Sequence, residues 1–180
     1  MAASVSFSEG DVFQTLRGLL ASMVPSGVEI IRAQVNRTPE PKTDSYIVMT
    51  LLSRDRLATN VDTYIDGYPA NPGLKSAIAS TNLTIQLDVH GPTSGDNTQI
   101  ISTLFRDEFS TSFFDVSGID AQALYASDPL QIPFINGERQ WETRWTIDLC
   151  IQVNQVIQVG QEFADQLNAG LINVDRVYPP

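Results

Sequence analysis

Apolar positions recur along this chain with two different periods. Val12, Phe13, Leu16, Leu19, Leu20 and Met23 follow helical spacing behind Ser8, with Glu9 and Asp11 at the positive end of the predicted dipole. Pro25, Ser26 and Gly27 stop that helix. Residues 28–35 are rich in β-branched side chains and predict a strand, and the proline-rich stretch 36–42 behind it predicts a loop. Residues 46–52 are nearly all apolar, the pattern of a central strand covered on both faces or on one face plus a partner, and Arg54, Asp55 and Arg56 carry it outward.

From Tyr64 to Ser80 turn residues occur without a sustained period, which predicts a long excursion between strands. Leu83, Ile85, Leu87 and Val89 then alternate with Thr84, Gln86, Asp88 and His90, a half-buried strand that ends at Gly91 and Pro92. Asp96 is placed to cap a second helix, with Ile100, Ile101, Leu104, Phe105, Phe109 and Phe113 as one stripe and Gly118 past its end. Residues 141–153 predict the longest strand. Trp141, Trp145, Ile147, Leu149, Ile151 and Val153 take one face of it, and Trp145, Ile147, Leu149 and Ile151 are expected to pack on helix residues such as Leu104 and Phe105. A short helix over 163–168 and a last strand over 171–177 complete the pattern. The expected fold class is α+β: a single mixed or antiparallel β-sheet with two main helices packed on one face and long inter-strand loops.

The chain has 180 residues, enough for one domain with a core of its own. We expect a single domain over 1–180, with 1–8 and 178–180 as arms. Charged residues make up only 18%, while Ser, Thr, Asn and Gln supply fifty positions, so neutral hydrogen-bonding surface replaces charge. The net charge of −10 repels phosphate backbones and argues against nucleic-acid binding as a primary task. The eleven basic residues are nine Arg and two Lys, a balance suited to forked contacts with carboxylates at interfaces. No apolar run approaches the ~20 residues of a membrane span, and the first residues show no basic region followed by an apolar stretch. A soluble, cytosolic chain is expected. The sequons at Asn36 and Asn82 then read as chance matches.

Candidate chemistry is sparse. The single cysteine, Cys150, excludes an internal disulfide and reads as a half-buried filler; the single histidine, His90, excludes paired-histidine metal sites and reads as structural. Asp62, Asp66 and Gly67 imitate three positions of a calcium loop, but Tyr64 and Gly73 stand where that loop needs carboxylates. Asp107 and Glu108 are neighbours and point apart on a helix. Neither glycine-rich phosphate cradle occurs. Only an enzyme whose carboxylates are assembled by the fold stays open as a distant alternative, beside a monomeric binding module.

Seven ordered blocks carry a resemblance: DVF at 11–13, YIVMT at 46–50, RLATNVD at 56–62, QLDVHGP at 86–92, DNTQIISTLFRDEF at 96–109, RW at 144–145 and QEFAD at 161–165. Together they resemble the neck or tail-terminator proteins of tailed bacteriophages and prophages, over almost the whole chain.

The resemblance implies a structural virion protein without catalytic residue, metal or cofactor. Its subunits form a ring, usually a homohexamer, that caps the tail tube and joins it to the head–tail connector. The implied partners are further copies of itself, the tail tube protein, the connector or neck protein and a tail sheath, with DNA passing through without sequence-specific binding and no membrane involved. The implied location is the virion tail or neck, assembled in the host bacterial cytoplasm. Another neck, collar or head-closure ring protein of the same fold is the alternative. Long loops of such proteins are used against neighbours, which points here to residues 38–42 and to Tyr68, Pro69 and Pro72 in the 67–80 excursion. Arg54, Arg56, Arg139 and Arg144 are the candidates for pairing with a neighbour's carboxylates. An acidic chain with two lysines also suits a channel along which DNA slides, since each cationic contact with phosphate adds affinity.

Overall fold

A computed structural model describes residues 2–34, 41–67, 73–135, 137 and 139–163. The chain opens with a two-residue strand, β1 (Ser4–Val5), followed by helix α1 (Glu9–Met23). Ser8 and Asp11 form a reciprocal capping box: the Ser8 hydroxyl accepts from the Asp11 N–H at 3.2 Å, and the Asp11 carboxylate accepts from the Ser8 N–H at 2.7 Å. These bonds to the charged form hold the Asp11 carboxyl below its usual pKa. All six apolar positions expected on one face of α1 are buried.

Strands β2 (Glu29–Arg32) and β3 (Tyr46–Arg56) come next and pair in parallel. Strand β2 is shorter than the sequence predicts, because the backbone turns at Gln34 with φ +60. Burial along β3 alternates from Tyr46 to Met49, so of the two coverings expected it is one face of this strand that is covered. The register of β3 slips between Leu51 and Ser53, and the extra residue swaps every later side chain to the other face. Arg54 and Arg56 thereby come to lie on the helix side, opposite Leu83 and Thr81.

Strand β4 (Val61–Ile65) leads to β5 (Gly73–His90), and here the structure corrects the sequence reading: 73–80 are strand, not part of a long excursion. Helices α2 (Ser94–Phe105) and α3 (Glu108–Asp115) replace the single second helix expected. Asp107 breaks it by capping α3, accepting from the Phe109 N–H at 3.0 Å, while Thr93 rather than Asp96 is the N-cap of α2. The break rotates the second half. Phe114 is buried, and Phe109 from the expected stripe is exposed.

Strands β6 (Ala121–Ala126), β7 (Leu130–Gln131), β8 (Phe134–Ile135), β9 (Trp141–Glu142) and β10 (Arg144–Gln161) complete the described chain. The expected strand over 141–153 is thus shifted: it begins at Arg144 and runs to Gln161. Trp141 belongs to the separate β8–β9 hairpin and is 76% exposed, not on the core face. The reason lies in its partner strand, since β5 turns away at Gly91 (φ +100), where a Cβ would sit 2.1 Å from the Asp44 carbonyl oxygen. Arg144 opposite His90 is therefore the first row of the ladder.

The class is α+β, with a mixed sheet of eight strands. Strands β5 and β10 pair antiparallel over eighteen rows without a slip, from Arg144–His90 to Gln161–Gly73. At about 3.4 Å per residue this spine is roughly 60 Å long. Strands β3 and β4 lie end to end along one side of it, and β7, β6 and β1 along the other. Buried side chains of the three helices join Leu83, Ile85, Leu87, Val89, Ile147, Leu149, Ile151 and Val153 in one core. Phe105 is in that core and Leu104 packs against it, whereas the Trp145 indole lies over Gly95 in the first turn of α2.

Candidate subunit interface

Three surfaces bring polar or unpaired side chains together. On the helix-free face of the inner half, Tyr46, His90 and Arg144 share one row and Asp88 and Thr146 lie two rows on. The Tyr46 and His90 rings stack with centroids 4.4 Å apart. Above them Glu142 of β9 accepts the Tyr46 hydroxyl proton at 3.2 Å and lies 2.9 Å from His90 Nδ1. Burial, reinforced by the Glu142 charge, pushes the Tyr46 phenol up to about 12, so at neutral pH it is a donor and not a base. Asp88 Oδ1 accepts from Arg144 Nε at 3.0 Å, from Arg144 Nη2 at 2.7 Å and from Thr146 Oγ1 at 2.8 Å. His90 is only 5% exposed under this lid. What the arrangement does is fasten the β8–β9 hairpin to the sheet.

The second surface ties α1 to the sheet. Glu9 pairs with Arg32 of β2 and, at 3.3 Å, with Arg54 of β3. Arg54 also donates to Gln155 Oε1 at 3.0 Å, and Gln155 donates to the Phe7 carbonyl at 2.9 Å. The Arg32 guanidinium sits 4.1 Å over the Phe13 ring.

The third is the outer half of the spine, where no residue beyond Leu83 on β5 or Val153 on β10 belongs to the core. Rows of four strands continue here: Ser4–Gln158–Ser76–Thr63 and Val5–Ile157–Ala77–Asp62. Period two places Val61, Ile65, Leu74, Ile78 and Val156 on the helix-free face. Strand β4 is exposed throughout, with Val61 at 60% and Ile65 at 59%. On the other face Asp62 holds Lys75 at 2.8 Å, a bond that raises the Lys75 pKa. Tyr64 meets the Lys75 ammonium at 5.6 Å and the edge of Phe163 at 6.4 Å. Phe163 closes over Gly73, where a Cβ would overlap the ring at 2.2 Å.

Of the sequence-predicted interface residues, the four arginines do not form one patch. Arg54 and Arg144 lie on opposite faces and each holds a carboxylate of its own chain. Arg56 ends β3 on the exposed surface, and Arg139, with φ +60, is exposed between β8 and β9; among the described residues neither has an ion pair. Tyr68, Pro69 and Pro72 lie outside the described residues, as do 38–40, the expected helix beyond Phe163 and the expected last strand. The outer half of the sheet went unrecognised in the sequence reading. Its signal was the β-prone run VDTYI at 61–65.

Cys150 is buried, and its Sγ lies 3.8 Å from Thr84 Oγ1. Among the described residues no three His, Cys, Asp or Glu side chains are grouped to hold a metal ion. No described helix is long and apolar enough to cross a membrane.

Comparison with known proteins places these surfaces in context. A family model described as phage neck terminator protein matches residues 11–176. No curated protein matches the chain. Among 13 matching chains of solved structures is the sheath/tube terminator of an extracellular contractile injection system, PVC, in its extended state, solved by cryo-electron microscopy. The likeness has a TM-score of 0.50 at 12% identity and covers 96% of this chain and 65% of that one, so this chain spans just under two thirds of that terminator's length. At this identity the likeness is one of fold.

Proposed function

The chain belongs to the phage neck terminator family, and from that premise we propose that it is a structural virion protein that forms a ring, a homohexamer, at the end of the tail. The ring caps the tail tube, and the sheath where there is one, joins it to the head–tail connector and leaves a channel for DNA. It works by assembly, without a catalytic step. The family match over residues 11–176 carries this reading. The likeness in fold to a sheath/tube terminator supports the same level in the tail.

Charge placement supports a conduit that does not grip DNA. Arg32, Arg54, Lys75, Arg106 and Arg144 each hold a carboxylate of the same chain, so these cations are already neutralised before any phosphate approaches. The same pairing ranks the interface arginines. Arg56 and Arg139 are the donors open to a neighbour's carboxylates, and Arg54 and Arg144 reach a neighbour only by sharing the acid they hold.

Mass measurement and electron-microscopic imaging of the purified 19.8 kDa chain test the reading. Closed rings of one fixed multiple, with an open centre, are expected. A single-subunit mass at every concentration tried overturns it.

A further inference from the structure

We infer that copies of this chain join edge to edge through the outer half of the spine, β4 of one copy pairing with the 2–6 segment around β1 of the next. This rests on the ring reading and deepens it by naming the contact.

The first observation is an unguarded edge. Sheet edges that must stay unpaired carry lysine, proline, a bulge or an inward-pointing charge. Strand β4 reads VDTYI, pairs with β5 in register over five rows, and among the described residues nothing pairs with its other edge. Its one charge, Asp62, is occupied by Lys75 on the neighbouring strand. What β4 presents is a row of backbone donors and acceptors flanked by Val61, Tyr64 and Ile65, each more than half exposed.

The second observation is a complementary edge at the far end of the same rows. Residues 2–6 are exposed, and among the described residues β1 is paired only on its β10 side. Successive strands β1, β10, β5 and β4 are antiparallel throughout. A neighbour's β1, entering beside β4 in the orientation it has in its own sheet, therefore runs antiparallel to β4 and continues the alternation. The faces agree as well: Ser4 adds a neutral side chain to the face of Thr63, and Val5 lands on the face of Tyr64, covering two exposed apolar groups together.

Third, the two edges are different surfaces of one molecule. A contact between unlike surfaces is head-to-tail, and repetition closes it into a ring or runs it into a filament, whereas a self-complementary edge would stop at a dimer.

The test is a cysteine scan of the joint. Thr63→Cys is combined in turn with Ala2→Cys, Ser4→Cys and Ser6→Cys, three registers that keep both thiols on one face, and the purified chains are oxidised. One register should give a ladder of covalent multiples that reductant collapses. The single variants should give no ladder, since Cys150 is buried. Val61→Lys with Ile65→Lys should abolish the multimer while circular dichroism and the unfolding midpoint of the subunit stay unchanged.

Fixed-multiple rings that form without any ladder, or that survive the double lysine variant, overturn the edge pairing and leave the ring reading standing. A ladder from filaments supports the pairing and overturns the ring. A chain that stays monomeric and uncrosslinked overturns both, and pairing of β4 with a tail tube strand alone overturns the choice of a second copy.

Discussion

The inner and outer halves of the β5–β10 spine share the same two strands, one register and one ladder of backbone bonds, and they differ in what covers them. Inner rows put Leu83, Ile85, Leu87 and Val89 against three helices at no more than 1% exposure. Outer rows put Ile78, Leu74 and Val156 on a face without a helix and end at an exposed edge strand. Backbone regularity in this molecule therefore reports pairing and not burial. The apolar core stops where the helices stop, and the strands run on. The inner half has what a subunit needs to fold; the outer half has what the proposed contact needs.

The sharpest way to break this contrast is to truncate one apolar side chain in each half. Leu87→Ala should cost about 2 to 5 kcal/mol of subunit stability, because the surrounding core cannot close over the void. Ile65→Ala should stay within about 0.5 kcal/mol, as expected for an exposed side chain. Denaturant unfolding of the two variants side by side checks both figures, and similar costs would mean that the outer half is part of the folding core.

A second pair sharpens the contrast through charge. Asp88→Ala strips Arg144 and Thr146 of a shared acceptor whose side chain is 13% exposed and should cost about 2 kcal/mol. Asp62→Ala removes a more exposed ion pair and should cost less than about 1 kcal/mol, a loss that shrinks further in salt. Unfolding midpoints at low and high salt separate the two cases.

The smallest effect is a pH dependence at the start of α1. The folded state lowers the Asp11 pKa, so the carboxylate contributes fully above its unfolded pKa of about 3.9, and the contribution fades as pH falls through the lowered folded value. Asp11→Asn should therefore lower the melting temperature at pH 7, and the gap to the parent should close below about pH 4. A gap that widens on acidification would refute the capping assignment.

Sequence legibility follows the same division. Helix α1 was readable because its six buried positions and its capping pair lie within sixteen residues. The alternation from Leu83 to Val89 was readable because one face is wholly buried and the other is polar. Residues 73–80 lacked that contrast: Lys75, Ala77 and Ala79 alternate with Leu74, Ser76 and Ile78, and neither set is buried in the core. Their strand state comes from β10, a partner far along the chain that no local pattern reveals. Trp141 misled because its spacing continues that of Trp145, and only the end of β5 at Gly91 shows that the strand has no partner there. At the interface, the identity of the arginines was visible, but their intrachain acids, Glu9 and Asp88, were brought near only by folding.

The unbroken ladder also sets a timetable. Every residue of β5 meets a partner on β10 more than fifty positions further along the chain. Such long-range pairing makes folding slow, since the loop-closure entropy is lost before any contact compensates for it. During synthesis β4 and β5 leave the ribosome well before β10 exists, so this hairpin waits with both of its edges open. The strand proposed to join copies is, for that interval, the segment most exposed to premature pairing, and the rate of translation through residues 91–161 decides how long the interval lasts.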